Sequence, residues 1–77
     1  MFNKKVNNRH EVMFAGEHYA IVRAVTETMG LKVKEFRGNM FRGKYVGLCR
    51  VVLKANEDEL NSLLVKLNNY GAKEAFM

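Results

Sequence analysis

The sequence predicts an α+β sandwich in the order β-α-β-β-α-β, with one antiparallel sheet covered on one side by two helices. Three observations carry that expectation. Two segments of helical period each stop at a glycine, Glu17 to Met29 at Gly30 and Glu57 to Tyr70 at Gly71. Glycine suits that place because the residue after a helix often turns left-handed, which other side chains resist. Each stop then runs into a strand-like stretch. Finally, 77 residues with 48% apolar content make one domain, able to bury about 60–65% of its unfolded surface, and too apolar for disorder.

Residues 1–9 are polar and asparagine-rich and predict an N-terminal arm, followed by a single domain over residues 10–77. His10 to Ala15 places Val12 and Phe14 on one face and Met13 on the other, the alternation of a first strand. Within Glu17 to Met29, Ile21, Ala24, Val25 and Thr28 recur at helical spacing, with Glu17, Arg23 and Glu27 on the opposite side. From Leu31 the period becomes two. Phe36 breaks it by falling on the lysine side, which a bulge near Glu35 or a second, partly covered face explains.

Gly38, Asn39 and Gly43 predict a hairpin turn within Arg37 to Lys44, since these residues tolerate positive backbone angles. Tyr45 to Lys54 is apolar on both faces, with Tyr45, Cys49, Val51 and Leu53 on one and Val46, Leu48 and Val52 on the other. Such a strand belongs in the middle of a sheet. Asn56 with Glu59 three residues later is an Asx version of the capping box, and Glu57, Asp58 and Glu59 lie where the helix dipole favours negative charge. Leu60, Leu63, Leu64 and Leu67 form that helix's buried stripe. Ala72 to Met77 reads as a final edge strand.

Right-handed crossovers then give a ferredoxin-like sandwich, a four-stranded antiparallel sheet in the order 4-1-3-2 with both helices on one face. Its other face would carry Met13, Phe36, Val46, Leu48, Arg50 and Val52, more apolar than water tolerates. Met13, Phe36, Val46, Leu48 and Val52 are therefore the candidate interface, for a homodimer or a partner protein.

The net charge of +5 gathers in the middle of the chain, where Lys32, Lys34, Arg37, Arg42, Lys44 and Arg50 crowd. Lys34, Arg37, Arg42, Lys44 and Arg50 are the candidate contacts for nucleic acid or another anion; the competing reading is an edge protected by lysines against stray pairing. No apolar run is long enough for a bilayer, and the first residues are too polar for a secretory signal, so a cytoplasmic protein with no membrane partner is expected. A single cysteine, Cys49, and the isolated His10 and His18 spell neither disulfide nor zinc spacing. No metal, no cofactor and no catalytic residue is predicted, and the chain is not read as an enzyme.

Glu17-His18-Tyr19-Ala20-Ile21-Val22, between the first strand and first helix, resembles the Asp-Arg-Pro-Gly-Ile-Val turn of ACT-type regulatory domains. The likeness continues through Arg23-Ala24-Val25 and Gly30 into Leu31-Lys32-Val33 and covers the layout from Arg9 onward. It implies a regulatory module that dimerises through its sheet, modulates a partner protein and holds a small effector near the first turn. Glu17, His18, Tyr19 and Ala20 are then the effector residues, their amides meeting an anionic group at a helix N-terminus.

RNA-recognition modules share this topology and offer a second resemblance. Arg42-Gly43-Lys44-Tyr45-Val46-Gly47-Leu48-Cys49 keeps the basic-glycine opening of their third-strand motif without its three aromatic positions. Val12-Met13-Phe14-Ala15-Gly16 is similar to their first-strand motif, with Met13 in the place of the stacking ring. Nucleic-acid binding would then rest on the basic hairpin. A third reading is a small inhibitor of a larger protein, with the open sheet face as the contact.

Overall fold

The computed structural model describes residues 7–75. Strand β1 (Asn8–Ala15) leads through a 3-10 turn (Gly16–His18) into helix α1 (Tyr19–Thr28), followed by β2 (Lys32–Phe41), β3 (Lys44–Ala55) and helix α2 (Glu57–Asn69). The strands form one antiparallel sheet in the order β1-β3-β2. Val22 and Val25 of α1 and Leu63 and Leu67 of α2 pack with Val12, Phe14, Val51, Leu53 and Ala55, so both helices cover the same face.

The expected four-stranded sheet is not what forms. After α2, Ala72 is fully buried in the core, and beyond it the described residues pair with β1 through a single bridge between Phe14 and Glu74, with a 2.7 Å hydrogen bond from the Ala75 amide to the Met13 carbonyl. Phe76 and Met77, the end of the expected strand, lie outside the described residues. At the other end of the chain, Asn8 and Arg9 belong to β1 rather than to an arm, while residues 1–6 of that arm are likewise outside the description.

Both helix stops form as their glycines predict. Leu31 donates to the Thr26 carbonyl and Gly30 to Glu27, and Ala72 donates to Leu67 and Gly71 to Asn68, the same pair of bonds closing each helix. The α2 start is a complete capping box: the Asn56 side chain accepts from the Glu59 amide at 2.8 Å, and the Glu59 carboxylate accepts from the Asn56 amide at 3.0 Å.

The hairpin is longer than the sequence suggests. Arg37 to Phe41 are strand, and the turn is only Arg42 and Gly43, with φ of 51° and 79°. Two consecutive positive angles make the tight turn whose twist matches that of the flanking strands. Gly38 serves a different purpose, being a strand residue over which side chains close: a Cβ there would lie 2.8 Å from Tyr45 Cδ1, 2.9 Å from Cys49 Sγ and 3.0 Å from Tyr19 Cε2.

Phe36 is the main correction to the sheet's faces. Val33 pairs with Leu53 but Glu35 with Val52, so Lys34 is an extra residue and the strand turns over at this bulge. Phe36 consequently points toward the helices, edge-on to Phe14 at 5.9 Å and to Tyr19 at 4.6 Å between ring centroids. It is therefore no part of an open-face interface.

Candidate nucleic-acid interface

The uncovered face of the sheet is divided into three zones along β3. Alternation puts Val46, Leu48, Arg50, Val52 and Lys54 on this side, and the register sets their neighbours on β1 and β2.

The middle zone is an ion-pair lattice. Glu11 and Glu35 flank Val52 from either side, and Arg50 reaches both carboxylates, at 3.7 Å and 3.4 Å, while Arg37 pairs with Glu35. Val52, between those two carboxylates in the register, is only 1% exposed. The centre of the expected oily face is thus a buried valine flanked by ion pairs, not open apolar surface. Of the five cations expected to meet an anion, Arg37 and Arg50 are engaged internally.

The second zone is the far end of the hairpin. The β1 ladder ends where Ala15 pairs with Leu48, and β2 and β3 continue alone from Asn39 opposite Val46 to Phe41 opposite Lys44. At about 3.4 Å per residue this two-stranded ribbon projects about 12 Å, counting its turn. Met40 and Phe41 are about three-fifths exposed, Val46 and Leu48 about two-fifths, and the Arg42 guanidinium lies 5.2 Å from the centre of the Phe41 ring. No acidic residue occurs between Phe36 and Asn56. Arg42 and Lys44 therefore set the sign of the ribbon, with Lys34 exposed at the bulge below.

The third zone, which sequence reasoning missed, lies at the opposite end of β3. Arg9 pairs with Lys54 and Lys32 pairs with Lys54 from the other side, so three exposed cations stand in one row across the sheet. Lys32 and Lys54 are visible in the sequence as strand lysines; only the register aligns them.

The residues expected to hold an effector are arranged otherwise. Glu17 and Ala20 are exposed and His18 is half-buried, whereas Tyr19 is buried in the core with its ring stacked on Tyr45. Gly16 backs onto the Tyr45–Val46 backbone, where a Cβ would come within 3.0 Å, and no side chain caps the helix start. A cleft of about 480 Å³ lies instead between the helices, where Ile21, Val25 and Met29 face Lys66 and Tyr70.

Among the described residues, no group of three or more His, Cys, Asp or Glu side chains comes together as a metal site would require. Burial, slightly opposed by a hydrogen bond from the Asn39 backbone, pushes the Cys49 thiol above its ordinary value and keeps it protonated. The Tyr45 phenol is raised by the neighbouring Tyr19 hydroxyl first and by burial second. No described helix is long and apolar enough to cross a membrane. No family model, no curated protein and no solved structure matches this chain.

Proposed function

We propose that this chain is a non-catalytic nucleic-acid-binding module that sets the β2–β3 ribbon into a groove of duplex DNA. The carrying observation is the ribbon itself, which extends beyond β1 with Arg42 and Lys44 near its end and no acid along its length. A B-DNA major groove about 12 Å wide admits a two-stranded ribbon laid lengthwise in it, with the open sheet face turned toward the duplex. The narrow major groove of duplex RNA does not admit side chains in this way. Arg42 and Lys44 would meet phosphates, and the exposed Met40 and Phe41 would meet base edges or sugars.

The test is fluorescence anisotropy with labelled duplex DNA, duplex RNA and single-stranded DNA over a range of salt. Duplex DNA should bind most tightly, and Arg42→Gln with Lys44→Gln should reduce the slope of log affinity against log salt by about 2. Unchanged affinity and slope in that double variant would reject the ribbon.

A second reading, self-association and modulation of a partner protein through the open face, is favoured by the exposed Val46 and Leu48 beside Met13. The ion pairs beside Val52 weigh against it, since closing that face would desolvate Arg50, Glu11 and Glu35. Light scattering separates the two: a dimer that Leu48→Glu dissolves would favour this reading.

A further inference from the structure

We propose, resting on the nucleic-acid reading above, that the row Arg9, Lys54 and Lys32 is a second phosphate-contact site, at the opposite end of the same sheet face from the ribbon. Partners in an antiparallel ladder stand about 5 Å apart at Cα, and like charges directly opposite one another destabilise the sheet. Here the register places three in line, Arg9 with Lys54 and Lys54 with Lys32, all exposed.

Neighbouring acids do not neutralise them. Glu11 and Glu35 occupy the next row on this face and are held by Arg50 and Arg37. Among the described residues no ion pair involves Arg9, Lys32 or Lys54. Protection of a sheet edge accounts for a lysine on β1 or β2, but Lys54 is on the central strand, where there is no edge to protect. The row is a concentration of positive charge that the fold maintains at some expense to itself, and a polyphosphate backbone is the chemistry that relieves it.

Spacing names the ligand more closely. Lys32 and Phe41 are the two ends of the ten-residue β2, about 30 Å apart at about 3.3 Å per step. One turn of duplex DNA is about 34 Å. A duplex entered by the ribbon would therefore offer a backbone phosphate to the row about one turn away. No ring accompanies these three cations in their row, so the contact is to phosphate and carries no base preference.

The experiment compares wild type, a row variant (Arg9→Gln, Lys32→Gln, Lys54→Gln) and a ribbon variant (Arg42→Gln, Lys44→Gln) on labelled DNA duplexes of about two turns and of less than one turn. On the longer duplex the row variant should lose about 2.7 from the salt slope, three contacts at about 0.9 each, while on the shorter one it should match wild type. Single Lys54→Gln should lose about 0.9 on the longer duplex and guards against a misfolded triple variant. A row variant with wild-type slope on the longer duplex, beside a ribbon variant that has lost its share, overturns the row and leaves the ribbon. A ribbon variant that binds as wild type overturns the ribbon reading and the two-site assignment together, as does absence of DNA binding by wild type at low salt.

Discussion

The Tyr19 ring lies flat on the Tyr45 ring, with centroids 3.7 Å apart and planes within 8° of parallel. Tyr19 opens α1 and Tyr45 stands in β3 opposite Met40, within the ribbon, so this stack joins the helix layer to the ribbon itself. Phe36 and then Phe14 extend the same contact into the core.

Removing the stack should cost stability and loosen the ribbon together. Tyr19→Ala takes a buried aromatic from the core and is expected to destabilise by about 3 kcal/mol. Tyr45→Leu keeps much of the apolar area and loses the ring contact, for about 1 kcal/mol. Urea denaturation followed by circular dichroism measures both, and a Tyr45→Leu variant as stable as wild type would argue that the stack adds nothing to burial.

Gly38→Ala should destabilise by about 1–3 kcal/mol through overpacking alone. The added methyl would meet Tyr45, Cys49 and Tyr19 atoms at 2.8 to 3.0 Å, and the Gly38 backbone is not among the positive-φ positions. Pairing it with Cys49→Ala opens space beside the new methyl. Thermal melts of the two single variants and the double should show the costs failing to add; strict additivity would place the strain elsewhere.

Asn56→Ala should cost about 1 kcal/mol, because the Glu59 amide loses its acceptor at the α2 start. Asn56→Asp keeps an acceptor in the same place and should be close to wild type. Chemical denaturation of the two variants is the measurement, with similar losses counting against the cap.

The Cys49 thiol gives stability a dependence on alkaline pH. Its folded pKa is raised above the ordinary 9.0 by burial. Its contribution is therefore fully present below the unfolded value, and is lost as pH rises from there through the folded value, because the unfolded chain releases the proton first. Cys49→Ala should flatten part of the decline in melting temperature above about pH 9; Tyr45, raised in the same direction, keeps the remainder. An identical alkaline limb in the variant would mean that the thiol titrates as if exposed.

The elements were legible where a single residue type decides them. Gly30, Gly71 and the Asn56–Glu59 pair mark helix ends by local chemistry, and both faces of β3 follow from simple alternation. What escaped depends on neighbours distant in sequence. Gly38 reads as a turn residue until Tyr19, Tyr45 and Cys49 are seen closing over it. Phe36 changes face because of a bulge at Lys34, whose place only the pairing with β3 reveals. Between Ala72 and Ala75 the expected last strand is reduced to one bridge, with Ala72 buried in the core. Likewise, the basic residues were visible but their division was not: Arg37 and Arg50 look as available as Arg42 until Glu11 and Glu35 arrive beside them. The Arg9, Lys54 and Lys32 row needs two registers at once.

Beyond Leu48, among the described residues, no third strand pairs with the hairpin, and past Tyr45, where Tyr19 and the Gly16 turn back it, the tip stands alone. Its amide protons should therefore exchange with deuterated solvent far sooner than those of the paired rungs over Val12 and Val51. Opening there need not unravel the body, so the tip can adjust its shape to whatever it meets while the leucine- and valine-lined interior stays shut.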